Sequence, residues 1–220
     1  MITTSPIVAC QDLDALRPVL YKAIEAGVSE AREYFALKDR DYEPYTFSSL
    51  FRLEARTRLN DLGHEAEFDV DESANNLGLH LRYLSPPDVN GVRRVYNLRI
   101  RKAFGGSAPV PGHSYRTQDF YKQAGFIQTV LPGFEQDATN LLVLWDVTAD
   151  WMLRPDLILA CPLGTARFGS SPPCLWKVPL APPHESLTTI PLPLVQPGDD
   201  EDLGLDFVAR AEESRADTGA

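Results

Sequence analysis

Two alternating stretches separated by strong turn chemistry restrict what this chain can become more than any other feature. Leu77, Leu79, Leu81 and Tyr83 alternate with Gly78, His80, Arg82 and Leu84, and later Tyr96, Leu98 and Ile100 alternate with Asn97, Arg99 and Arg101. A period of two marks strands with one buried face. Between them, Ser85 to Gly91 holds Pro86, Pro87 and an Asn90-Gly91 pair, which suits a chain reversal. The expectation is a β-hairpin.

Its register is constrained by burial. Directly opposed residues of an antiparallel pair share a face, so burying both apolar sets together requires partners whose numbers sum to an odd value, as in Leu81 with Ile100 or Tyr83 with Leu98. His80, Arg82, Asn97, Arg99 and Arg101 then gather on the other face. Like charges side by side on a sheet cost roughly 0.2 to 1 kcal/mol a pair, so such a face needs acidic neighbours or a bound anion. With Lys102 and Arg116, these residues form the candidate binding set. From Arg93 to Lys122 the chain carries seven of its 21 Lys and Arg, together with His113, against one acid, Asp119.

The surrounding chain is acidic, with a net charge of −10, which argues against a general nucleic-acid binder. The balance is uneven. Residues 197–220 hold eight acids against Arg210 and Arg215, a net of −6, which leaves −4 for residues 1–196. At 220 residues and 44% hydrophobic, the chain can bury a sizeable core. Its longest apolar runs, Leu141 to Trp145 and Leu157 to Cys161, are too short to cross a bilayer, and Met1 to Cys10 lacks the order of a signal peptide. A cytoplasmic protein without a membrane partner is expected, its three cysteines being free thiols.

Residues 1–12 have no periodicity and read as a flexible arm. Leu20, Ile24, Val28, Ala31 and Phe35 form one helical stripe after Asp14 and Pro18, with Gly27 either a weak point or a close helix contact. A second helix runs from a cap at Thr46, Ser48 or Ser49 to about Leu62, with Arg52 and Arg56 on one face as possible extensions of the basic surface. Phe68 and Val70 suit a short edge strand. Gly105 to Ser114 is irregular and is neither a phosphate loop nor GxGxxG, and Tyr115 to Gly125 reads as a short helix. Asn140 to Val147 and Leu157 to Pro162 read as central strands covered on both faces, and Leu175 to Leu180 as an edge strand bearing Pro179. The expected class is α+β: two N-terminal helices, a mostly antiparallel sheet in one domain over residues 13–180, then a proline-rich linker and disordered acidic tail over 181–220.

The segments NNLGLHLRY, YNLRIRKAF, APVPGHS, FYKQ, NLLVLWDV and ILACPLG resemble a family of short uncharacterised proteins of actinobacterial type. The likeness covers roughly residues 15–180. Some members are encoded beside helix-turn-helix regulators in toxin-antitoxin-like or phage-related modules. The resemblance implies a paired regulatory role and supplies no catalytic residue.

Two functions remain open at this point. One is a binding and regulatory protein whose basic hairpin face grips an anion, either nucleic-acid backbone or an acidic partner segment, with the acidic tail able to occupy that face in the free protein. The other is an enzyme acting on nucleic acid or nucleotides, including a metal-dependent nuclease, with His113, Asp146 and Asp156 as candidate catalytic residues and Glu54 and Lys177 as helpers. A two-strand nuclease site needs an acid two residues before its lysine, and Leu175 stands there. No GxSxG or HExxH is present, and neither a cofactor nor a metal site is expected.

Overall fold

Ser5 lies in extended backbone, its hydroxyl accepts a hydrogen bond from the Val8 amide at 3.4 Å, and Pro6 takes the first helical position. That pairing of cap and proline starts helix α1, Pro6–Asp12. The flexible arm expected over residues 1–12 is thus corrected from Pro6 onward, because a helix of seven residues, about two turns, is too short for periodicity to show. The computed structural model describes residues 4–38, 43–70, 78–103, 105–111, 115–123, 138–164 and 171–183, all within one compact unit. His113 and the linker and tail beyond Pro183 lie outside the described residues, as does any contact the tail makes.

Helix α2, Arg17–Lys38, buries Leu20, Ile24, Val28 and Ala31 on the expected stripe, with Phe35 packed beside them. Helix α3, Pro44–Asp61, starts earlier than Thr46, because Glu43 is its cap and accepts from the Tyr45 and Thr46 amides at 2.9 and 2.6 Å. Gly27 marks the crossing of the two helices. A Cβ built there would lie 2.7 Å from the Phe51 carbonyl oxygen.

Six strands follow in one sheet: β1 Phe68–Val70, β2 His80–Leu84, β3 Val95–Lys102, β4 Thr139–Trp145, β5 Leu157–Pro162 and β6 Cys174–Leu180. Their spatial order is their chain order, and every neighbouring pair is antiparallel except β3 and β4. The class is α+β. A parallel pair cannot be closed by a tight turn. The connection from β3 to β4 carries helix α4, Tyr115–Tyr121, and residues of that connection, Ala103, Ala108, Phe120 and Tyr121, pack on Leu142, Leu144 and Ala160. The opposite face, with Leu81, Tyr83, Tyr96, Leu98, Ile100, Leu141, Val143 and Leu159, packs in one core with residues of α1, α2 and α3. Strand β4 is therefore covered on both sides, which explains its unbroken apolar run.

The hairpin pairs His80 with Arg99, Leu81 with Leu98, Arg82 with Asn97 and Tyr83 with Tyr96. All four sums are odd. The register lies two residues from Leu81 with Ile100, and a shift of two leaves the content of each face unchanged. Strand β6 closes one edge, with Pro179 opposite Ile158, and three-residue β1 closes the other. Among the described residues no helix is long and apolar enough to cross a membrane.

Cys10, Cys161 and Cys174 are free, the first two buried. Burial pushes the Cys161 thiol from 9 up to about 12 and the Cys10 thiol up to about 11, the latter against the opposing pull of Arg17. Both thiols stay protonated in the folded chain after the unfolded chain has begun to lose them. Stability is therefore full below pH 9 and falls as pH rises towards those higher values, with a slope of about 1.4 kcal/mol per pH unit for each thiol. Urea midpoints measured at pH 8 and at about pH 10 should show this loss, and Cys161→Ala should flatten it; an unchanged slope in that variant would exclude the thiol as its source.

Candidate anion-binding site

The second face of the sheet carries the expected side chains, but the fold uses several of them itself. Asn97 donates from Nδ2 to Asn140 Oδ1 at 2.9 Å, and Asn140 donates to the Phe120 carbonyl at 3.1 Å. Gln123 completes this network, donating to the Asn140 and Pro162 carbonyls at 2.6 and 2.9 Å and accepting from the Asn140 amide at 3.0 Å. Asn97 thus fastens α4 to the sheet rather than offering itself to a ligand. Arg99 is 6% exposed, with its guanidinium carbon 4.2 Å from the centre of the Phe120 ring. A stacked, buried arginine supports the α4 layer. His80 is half-buried opposite Arg99, and Arg82 is exposed with Asp69 as its cross-strand neighbour.

Lys102 does not belong to this face. Its even number puts it on the side of Ile100, where the ammonium lies 5.3, 5.7 and 5.8 Å from the ring centres of Trp151, Phe47 and Trp145. Burial lowers its basicity, and Asp146 works against that shift. The backbone of Arg116 lies in α4, while its side chain is outside the described residues. Arg93 is ion-paired with Glu67, and Arg94 binds Asp88 at 2.8 Å and approaches Asp12 at 3.3 Å, so neither adds free charge.

What remains is concentrated at the C-terminal end of β3. Arg101 stands there half-buried, and Arg52 on α3 feels it: desolvation first, and then the charge of Arg101, lower the basicity of Arg52. Arg52 donates to Ser48 Oγ at 2.6 Å. Among the described residues neither arginine makes an ion pair. On the α4 side, burial raises the Tyr121 hydroxyl, while the charges of Arg101 and Arg99 pull it back. The charge of Arg101 is thus felt on both sides, at Arg52 of α3 and at Tyr121 of α4. Arg56 is half-buried further along α3.

Of the candidate catalytic residues, His113 lies outside the described residues, and Asp146 and Asp156 stand at the adjoining ends of β4 and β5. Asp146 caps the end of β4, accepting from the Val147 amide at 2.9 Å and facing Arg154 at 3.7 Å. Asp156 is exposed ahead of β5. Glu54 pairs with Arg58 at 3.0 Å on α3, and Lys177 lies on β6 opposite Ala160, on the face away from the core that α3 joins. The sheet therefore separates those two helpers. Among the described residues no three His, Cys, Asp or Glu side chains come together as a metal site.

Sequence reasoning missed the aromatic surround of Lys102. Its rings come from α3, from β4 and from the loop after β4, and only the parallel pairing of Lys102 with Trp145 brings them together. The chain matches no family model, no curated protein and no solved structure.

Proposed function

We propose that this is a binding protein that receives an acidic segment of a partner protein at Arg52 and Arg101, with exposed Arg82 extending the surface along the hairpin. The observation that carries this reading is the Arg52–Arg101 pair itself: two like charges in each other's field, with no carboxylate paired to either among the described residues. Holding such a pair together costs stability, and an acceptor from outside offsets that cost. A carboxylate-bearing peptide suits it better than a nucleic-acid backbone. The chain's own net charge of −10 opposes a dense polyphosphate at long range, and Arg99 on the hairpin face is already stacked on Phe120 of α4. A partner protein also agrees with the paired regulatory role that the family resemblance implies.

A fluorescence titration with a labelled glutamate-rich peptide tests this, run beside a single-stranded oligonucleotide of equal charge. Arg52→Ala and Arg101→Ala are each expected to weaken peptide binding roughly fivefold to tenfold, with the loss shrinking at high salt. Arg58→Ala is the control, since that side chain already holds Glu54. Peptide affinity untouched by both arginine variants would refute the site, and tighter binding of the oligonucleotide would make nucleic acid the ligand.

A further inference from the structure

The outward face of α3 is built differently from that of α2. At about 100° per residue, Tyr45, Ser49, Arg52, Leu53 and Arg56 fall within an arc of about 100°, while the buried Phe47, Phe51 and Ala55 lie on the far side of the helix. Two rows cross this arc. In one, Tyr45, Ser49 and Leu53 follow at steps of four, the two apolar side chains being 85% and 59% exposed and the small, exposed Ser49 lying between them. In the other, Arg52 and Arg56 stand four apart, and Ser48, one turn earlier, accepts from Arg52 at 2.6 Å and so steadies that guanidinium. The acids of α3, Glu54 and Asp61, both fall outside the arc, and Glu54 is engaged by Arg58. Among the described residues neither Arg52 nor Arg56 makes an ion pair. Helix α2 shows an ordinary solvated face in the same chain: exposed Lys22, Glu25, Glu30, Arg32 and Glu33 mix both signs, and Lys22 pairs with Glu65 at 3.0 Å. Single exposed apolar residues carry no message on a protein surface. A notched apolar row beside a row of unanswered cations, in a chain of net charge −10, does.

We propose that this face receives an amphipathic acidic helix of a partner protein, its apolar side chains seated at Ser49 between Tyr45 and Leu53 and its carboxylates on Arg52 and Arg56. The inference rests on the reading that an acidic segment binds at Arg52, and it adds the shape of that segment and the apolar contacts that hold it. Side chains four apart form the ridges by which helices pack, and a small residue within such a ridge leaves the hole that a leucine of the facing helix fills. Tyr45 and Leu53 are eight residues, about 12 Å, apart along the axis, which a facing helix matches with apolar positions one and two turns apart. A helix also brings its own backbone hydrogen bonds, whereas an extended segment laid on a helix face finds no strand to pair with. Acids flanking the apolar positions complement Arg52 and Arg56 and, further out, Arg101, whose charge Arg52 feels. A second copy of this chain docking α3 on α3 is disfavoured, because twofold symmetry would set the same arginines against each other.

The test uses the full chain and a labelled three-heptad peptide with leucine at the a and d positions, glutamate at e and g and alanine elsewhere, the glutamates keeping the free peptide from pairing with itself. Two controls carry the same charge: a scrambled peptide of identical composition, and one with proline at two central alanine positions, which cannot form the helix. Fluorescence anisotropy should give the amphipathic peptide at least tenfold tighter binding than either control, and circular dichroism should show a gain of helix on mixing. Leu53→Ser and Tyr45→Ser should each weaken that binding about fivefold to tenfold, and Arg56→Ala about fivefold. Tyr45 and Leu53 lie at the surface, so the serine variants keep the wild-type fold, which their thermal midpoints check. Equal binding of all three peptides, no gain of helix, or binding indifferent to both serine variants would overturn the helix; if Arg52→Ala still weakened binding, the acidic-segment reading would survive. No binding of any peptide, or binding indifferent to Arg52→Ala and Arg101→Ala, would remove both. Dimerisation of the chain alone that Leu53→Ser abolishes would overturn the proposal in favour of a second copy.

Discussion

Asp12→Ala is expected to lower stability by about 3 kcal/mol, a large effect for a residue on a seven-residue helix. Asp12 is 9% exposed and receives three donors from the sheet. The Tyr96 hydroxyl donates to its Oδ2 at 2.6 Å, the Tyr83 hydroxyl to its backbone carbonyl at 2.9 Å, and Arg94 approaches its carboxylate at 3.3 and 3.4 Å. Alanine keeps the carbonyl and deletes the carboxylate. Tyr96, with 0% exposure, is then left with a buried hydroxyl and no carboxylate to receive it, and among the described residues Arg94 keeps only the Asp88 ion pair. Urea denaturation should show a lower midpoint with an unchanged slope. Tyr96→Phe in the Asp12→Ala background should cost much less than in the wild type, because the hydroxyl has already lost the carboxylate it donates to and keeps Thr4 alone of its two side-chain partners among the described residues. Additive losses in that double-mutant cycle would show that the two groups do not act together.

Gly27→Ala is expected to cost about 2–3 kcal/mol, although alanine on its own favours a helix by about 1 kcal/mol over glycine. The new Cβ would lie 2.7 Å from the Phe51 carbonyl oxygen and 2.8 Å from the Phe51 ring. A ring can turn, but the carbonyl belongs to the backbone of α3, so the two helices must separate. Phe51 also stacks on Trp145, which carries the displacement to the Lys102 corner. Thermal unfolding of Gly27→Ala, and of Gly27→Ala with Phe51→Leu, separates the two contacts. Only partial rescue is expected from the smaller side chain, since the carbonyl contact persists. Stability equal to wild type in the single variant would mean that the helices do not cross where the structure puts them.

Much of this architecture is legible wherever burial enforces a period. The stripe from Leu20 to Phe35, the two faces of the hairpin and the apolar runs of β4 and β5 follow from which side chains must leave water. Helix α1 escapes such reading because its signal is a cap and a proline rather than a repeat. The parallel pairing of β3 with β4 escapes it too, since nothing in a strand's own residues records whether the chain returned by a turn or by a crossover. The candidate site was half legible for the same reasons. Parity collected Arg82, Arg99 and Arg101 on one face and, carried one residue further, would have sent Lys102 to the other. It could not show that Arg99 lies beneath Phe120, that Asn97 is occupied by Asn140, or that Arg52 feels the charge of Arg101, because each depends on packing between elements distant in the chain.

The borders of the sheet bear on how molecules of this protein meet one another at high concentration. On the β6 side a newcomer strand would find Pro179, which has no amide to donate, and the exposed cation Lys177; on the β1 side it would find a ladder only three residues long. Neither border is a good template for adding another copy. Association between copies should therefore stop at discrete particles rather than grow into fibrils, even though the interior strands are among the most apolar in the chain.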